Sequence, residues 1–288
     1  FKGKYSAMGK NIFENEPGFA VVKDGALLEI FSKEGFLVHS LKKTLDFQPV
    51  DALSDELTPA LRSILVKVQE HESVQCVLLT GEGNSFCSGG DISSMSDLNS
   101  ERETEKVEQL RMLQRTLTLR LYDMAKPTIA ALPGPAVGAG LSLALACDLR
   151  YAVDDTFITT GYGNIGLSGD YGGSWLLANL TNTAIAKEMY FSCRRVGSKE
   201  CLKLGIFNDV FPKAEFDVEV LSIARRLAKG PPVAFRYMKE NLNRQAIMSL
   251  SECLDMEAES LLRCAETEDH KNAIKSFLEK RTPEFKGF

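Results

Sequence analysis

A chain of 288 residues, 44% hydrophobic and 25% charged, is long enough to bury a large core with a site inside it. Its formal net charge of -5 excludes general nucleic-acid binding, which needs a clustered excess of cations. No apolar run approaches the roughly 20 residues that span a bilayer, and the N-terminus lacks a secretory layout. The seven cysteines follow no CxxC or Cys/His ligand spacing, so no metal site is expected. They read as reduced thiols of a cytoplasmic protein, or of an organelle matrix in a eukaryote.

In chain order, residues 1–18 are polar and aperiodic and read as an arm. Phe19–Asp24, Ala26–Ser32 and Phe36–Lys42 predict an antiparallel meander. Ser54 is a plausible N-cap for a helix reaching His71, with Leu57, Leu61, Leu65 and Val68 on one face. Val74–Thr80 is a buried strand, followed by the turn Ser88-Gly89-Gly90-Asp91. Ser100–Ala125 predicts one long helix whose stripe of Leu110, Leu113, Leu117 and Leu121 packs into the core, stopped at Lys126-Pro127. Thr128–Leu132 repeats the pattern: a buried strand, a glycine-bearing turn at Gly134–Gly140, and a helix over Leu141–Ala146. Strands at Leu149–Val153 and Phe157–Thr160 precede the glycine-rich Gly161–Gly173, with helices expected at Ser174–Leu180, Thr183–Ser192 and Ser198–Leu204. Beyond Pro212 the pattern is helical throughout. The alternation implies an α/β core over residues 19–212 and a helical region over 213–288.

Glycine is placed where backbone must approach something closely or take positive φ, so two such turns suggest amides aimed at a ligand; both are equally readable as plain tight turns. Neither turn is a P-loop, since no Gly-Lys-Ser/Thr follows, and GYGNIG at Gly161–Gly166 spells GxGxxG without the acidic partner of a dinucleotide site. The three histidines, His39, His71 and His270, lie away from these turns, so a Ser-His-Asp or Cys-His machine is not evident. Asp170, between Gly169 and Tyr171-Gly172-Gly173, is either a turn aspartate or a carboxylate presented into a cavity as a general base.

Three ordered stretches, FCSGGD (Phe86–Asp91), GPAVGAGLSLALACDL (Gly134–Leu149) and IGLSGDYGGSWLL (Ile165–Leu177), closely resemble the enoyl-CoA hydratase/isomerase, or crotonase, family. Ala186–Phe211 and the ending FLEKRTPEFKG (Phe277–Gly287) extend the likeness over residues 19–287. The resemblance implies a crotonase-like α/β spiral of ββα units, with C-terminal helices that assemble trimers or dimers of trimers. Its substrate would be an acyl-CoA thioester, bound without a cofactor beyond the coenzyme A that the substrate carries. By position, the amides of Gly90 and Ala139 would form an oxyanion hole. Gly90, Asp91, Ile92 and Ser93 would contact adenine and pantetheine, and Lys286 would reach a neighbour's CoA phosphate.

The departures bear on the reaction. Hydratases of the family use two glutamates, and the corresponding positions here hold Ser142 and Tyr162, which would line the substrate site without supplying carboxylates. Asp170 matches the aspartate of GLxxDxGG that enoyl-CoA, dienoyl-CoA and epoxyphenylacetyl-CoA isomerases use as acid/base. Aryl-CoA dehalogenases also carry an aspartate here, as nucleophile. Isomerase chemistry at Asp170, buried among Tyr162, Tyr171 and Trp175, is therefore expected; a hydratase with an unusual acid set and a non-catalytic acyl-CoA binder are the alternatives.

Overall fold

The computed structural model describes residues 18–23, 26–30, 52–53, 57–72, 74–81, 84–90 and 103–288. The expected arm up to residue 17, the strand at Phe36–Lys42 and the Ser54 cap lie outside them, and Gly18 belongs to the first strand rather than to the arm.

Among the described residues the chain winds through repeated turns of strand, short strand and helix. In the first, β4 (Val74–Thr80) leads to β5 (Gly89–Gly90) and on to helix α2 (Glu103–Gln114), a π turn (Arg115–Leu119) and α3 (Arg120–Asp123). In the second, β6 (Thr128–Leu132) leads to β7 (Ala136–Val137) and α4 (Ala139–Ala146); in the third, β8 (Leu149–Val153) leads to β9 (Phe157–Thr159) and then to α5 (Gly173–Leu180). The long strands form a six-stranded sheet of order β11-β8-β6-β4-β1-β2, with β11 at Asp209–Phe211, β1 at Gly18–Lys23 and β2 at Ala26–Ile30. All neighbours are parallel except β1 with β2. The first pair of the expected meander, β1 with β2, is antiparallel, and β1 also joins the parallel sheet through β4. The short strands form two smaller sheets, β3 (Ala52–Leu53) with β5, and β10 (Val196–Gly197) with β9 and β7.

Both faces of the large sheet are covered, which is why β4 and β6 read as continuous apolar runs. Alternation along each strand sends Val77, Leu79, Ala130, Leu132 and Ala152 to a core shared with α1 (Leu57–Glu70), α4 and α5. Cys76, Leu78, Ile129, Ala131, Tyr151 and Val153 face the other way, onto Phe216, Val220, Leu221 and Ala224 of α8 (Phe216–Ala228). On α1, Leu61, Leu65 and Val68 are fully packed, each worth about 1.5–3 kcal/mol of burial.

The long helix departs from expectation. Leu117 and Leu121 are completely buried, but Leu110 is 39% exposed and Val107 and Met112 more so. The π turn at Arg115–Leu119 inserts a residue into the helical register, so a stripe continuous in sequence is not continuous in space.

After β11 the regular structure is helical: α8, α9 (Pro232–Arg244), α10 (Leu250–Ala265) and α11 (Glu268–Leu278), preceded in the core by α6 (Thr183–Ser192) and α7 (Ser198–Lys203). Helix α9 is anchored by Lys239, whose Nζ donates to Asp148 Oδ2 at 2.8 Å and to the carbonyls of Leu121 and Lys126. Helix α10 opens on a capping box between Ser249 and Glu252. The buried carboxylate of Asp269 accepts the N–H groups of Lys286 and Gly287, pinning the C-terminal tail to α11.

Candidate active site

The two glycine turns lie side by side. Val137 N donates to Cys87 O at 2.9 Å, and Cys87 bridges Ala136 in parallel fashion. A Cβ on Gly140 would come within 2.5 Å of Cys87 Cβ, and one on Gly89 within 3.0 Å of Val137 O and 3.8 Å of Ala139 N. The glycines therefore permit a backbone approach that any side chain would block. Gly138, with φ 55°, turns the chain into α4, which starts at Ala139, two residues earlier than expected. The N–H groups of its first turn have no acceptor one turn back and carry the positive end of the helix dipole.

One turn into α4, the buried Ser142 meets two residues delivered from beyond β9. Tyr162 lies in a short 3-10 helix (Tyr162–Ile165), and its Oη donates to Asp170 Oδ1 at 2.7 Å. Ser142 Oγ is 3.4 Å from Tyr162 Oη, 3.2 Å from the Asp170 carbonyl and 3.3 Å from the Gly138 carbonyl, and its single proton serves one of these at a time. Tyr190 of α6 stacks on Tyr162, with centroids 6.1 Å apart and planes within 15°. Gly173 closes the cluster: a Cβ there would meet Ser142 Oγ at 2.3 Å and Tyr190 Oη at 2.8 Å. Gly138, Ser142, Thr160, Tyr162, Gly173 and Tyr190 pack closely around one another.

Burial pushes the Asp170 carboxyl above the ordinary carboxylate range, and the hydrogen bond from Tyr162 partly opposes this. Burial also raises Tyr162, and the neighbouring Asp170 charge adds to it, so the phenol keeps its proton and stays a donor. Tyr190 is pushed up to about 12, by burial first and by Asp170 second.

Ser142, Tyr162 and Asp170 are thus brought together next to the second glycine turn. Asp91, Ile92 and Ser93 lie outside the described residues, and Lys286 is exposed on the pinned tail. Trp175 does not pack as expected. It is 44% exposed and makes an edge-on contact with Tyr122, their centroids 5.5 Å apart, so it belongs to a different wall. That wall lines a cavity of about 850 Å³ with Gln114, Tyr171, Arg236 and Asn243. Gly172 and Leu176 of the α5 region face this cavity, whereas Gly173 and Leu177 face Ser142. Sequence reasoning assigns no site role to Tyr190, which lies within the Ala186–Phe211 stretch of the likeness and reaches Tyr162 through the packing of α6. No helix among the described residues is long and apolar enough to cross a membrane, and no group of His, Cys, Asp or Glu among them is arranged to hold a metal.

A parallel-stranded spiral of ββα turns, with two glycine turns packed against each other beside a half-buried carboxylate, defines a crotonase-like fold. The sequence pattern of the enoyl-CoA hydratase/isomerase family matches residues 42–287. The short-chain-enoyl-CoA hydratase of Clostridium acetobutylicum is 30% identical over 233 residues, covering 81% of this chain and 88% of the relative. The 1,2-epoxyphenylacetyl-CoA isomerase of Escherichia coli is 26% identical over 238 residues, 83% and 91% of the two chains. Among solved structures, an enoyl-CoA hydratase from Bacillus anthracis superimposes with a TM-score of 0.78 at 29% identity, covering 83% of this chain and 92% of that one. The chain belongs to the enoyl-CoA hydratase/isomerase family, whose members act on acyl-CoA thioesters.

Proposed function

We propose that the protein is an enoyl-CoA isomerase that moves a double bond by a 1,3-proton shift. The observation carrying this reading is the half-buried Asp170 carboxylate, one oxygen of which is tied to Tyr162. A carboxylate whose proton affinity has been raised toward working pH suits a group that must take a proton and return it. Asp170 removes a proton from C2 of a 3-enoyl-CoA. The electron pair moves into the thioester as an enolate, and the amides of Gly90 and Ala139 stabilise its oxygen, each by roughly 3 kcal/mol. The protonated carboxyl then delivers the proton to C4, the double bond settles between C2 and C3, and Asp170 is a carboxylate again. Tyr162 holds and orients the carboxylate, and Ser142 steadies the carbonyl side of Asp170.

On the same reading Gly90, Asp91, Ile92 and Ser93 take the adenine and pantetheine, Lys286 takes a phosphate of a CoA bound to a neighbouring copy, and no further cofactor is needed. Leu242, Ile247, Leu250, Leu261, Phe277 and Leu278 of the C-terminal helical region are at least 70% exposed, more apolar surface than a monomer ordinarily leaves in water. This supports a homotrimer or a dimer of trimers; a monomer in sedimentation equilibrium would refute it.

A hydratase is the second reading, favoured by the names of relatives such as the Clostridium enzyme. Ser142 and Tyr162, neither of them a carboxylate, weigh against it. Asp170→Asn is the test. It is expected to abolish conversion of 3-enoyl-CoA while CoA-ester binding persists. Turnover unchanged by the substitution contradicts the assignment, and binding without turnover of any ester by the unaltered protein points to a non-catalytic binder.

A further inference from the structure

We infer that Gln114 is a positioning residue that sets the orientation of Asp170 through the peptide bond joining Asp170 to Tyr171. This rests on the reading of Asp170 as the proton-transfer group. The plane of that peptide is held at both ends. Its carbonyl accepts Gly173 N–H at 3.2 Å and lies 3.2 Å from Ser142 Oγ. Its N–H, carried by Tyr171, donates to Gln114 Oε1 at 2.9 Å. Because the partner is a donor, the network itself fixes which end of the Gln114 amide faces the loop.

The clamp matters because the loop is conformationally costly. Gly169 (φ 103°), Tyr171 (φ 50°) and Gly172 (φ 75°) all have positive φ, and Tyr171 is a bulky residue in a region that such residues rarely adopt. A strained conformation persists only where its surroundings over-determine it. Here the Asp170 side chain is tied to Tyr162, the carbonyl is tied from the α4 and α5 side, and the amide is tied by Gln114 alone among the bonds described. Without that bond the peptide plane is held at its carbonyl end alone, so ψ of Asp170, and with it the direction in which the carboxylate is presented, is less tightly fixed.

The long helix is shaped for this contact. Gln114 is the last residue of α2, immediately before the π turn, and Thr118 within the turn presents its methyl group to Gly172, where a Cβ would meet it at 3.7 Å. The register change that spoils the leucine stripe places these two residues against the Asp170–Gly172 loop. Inserted π turns recur at functional sites, where one extra residue re-aims a helix face.

Two variants of similar length separate positioning from general stability. Gln114→Met keeps the chain length and loses the acceptor; Gln114→Glu keeps an acceptor oxygen. Gln114→Met is expected to lower kcat for 3-enoyl-CoA about tenfold with KM changed less than about twofold, since misplacing a reacting group costs rate more than binding. Gln114→Glu is expected to recover most of the rate at high pH, with its acid limb displaced upward because a second carboxylate near Asp170 favours the protonated form. A kcat and pH profile for Gln114→Met equal to those of the unaltered enzyme, with Asp170→Asn inactive, overturn the role of Gln114 and leave that of Asp170 standing. Equal rate losses in Met and Glu variants that track lowered melting temperatures also overturn it. Full activity of Asp170→Asn instead overturns the reading on which the inference rests.

Discussion

Two opposing influences act on Asp170. Burial favours the protonated acid and raises its pKa; the Tyr162 phenol favours the carboxylate and lowers it, and burial is the larger. Tyr162→Phe removes the lowering influence and leaves burial unopposed, so the pKa moves further up and less Asp170 is ionised at any pH within the limb. The rise of kcat with pH is therefore expected to begin at higher pH in Tyr162→Phe, toward a plateau lowered by the loss of the bond that orients the carboxylate. An acid limb that stays in place contradicts this arrangement. Asp170 was legible because it interrupts a glycine-rich stretch just ahead of an apolar helix. Its partners were only half legible: Tyr162 shares its segment, but Tyr190 arrives on α6, and nothing local in its surrounding residues marks a tyrosine that will stack rather than face solvent.

At the scale of elements, strands were the most readable part of the chain. β4 and β6 carry apolar residues on both faces, and that pattern belongs to a strand covered on both sides whatever the neighbours are. The helix over 103–123 is the least legible, because a π turn is a one-residue insertion stabilised by its packing partners and has no propensity signal of its own. The attachment of α9 to the core has no local signal, since Lys239 and Asp148 come from different parts of the sequence. That pair is well shielded, with side-chain exposures of 10% and 25%, and Asp148 Oδ2 also accepts the N–H and Oγ1–H of Thr128. Lys239→Met removes three donated hydrogen bonds and leaves a partly buried carboxylate short of its cation. The expected loss is about 2–3 kcal/mol of unfolding free energy in urea titration. Unaltered stability would mean that the other contacts of α9, among them the hydrogen bond from Asn243 to the Tyr122 carbonyl, hold it without Lys239.

For the whole molecule, the repeated ββα winding stacks the loops after β4 and β6 against each other and delivers the segment after β9 to the same place. Any thioester reaction of the family can use that arrangement, so the fold points to the class of substrate rather than to the reaction. On the proposed reading the choice among reactions falls to a few side chains, here a serine and a tyrosine without carboxylates and one carboxylate held between burial and a phenol. The central claim is that this set performs proton transfer and not hydration. Its most direct test is the ratio of kcat/KM for isomerisation of a 3-enoyl-CoA to kcat/KM for hydration of the 2-enoyl-CoA of the same chain length, measured on one preparation of the unaltered enzyme. Isomerisation is expected to exceed hydration by at least about a hundredfold, the scale on which one well-placed acid/base group acts. A ratio at or below unity contradicts the account.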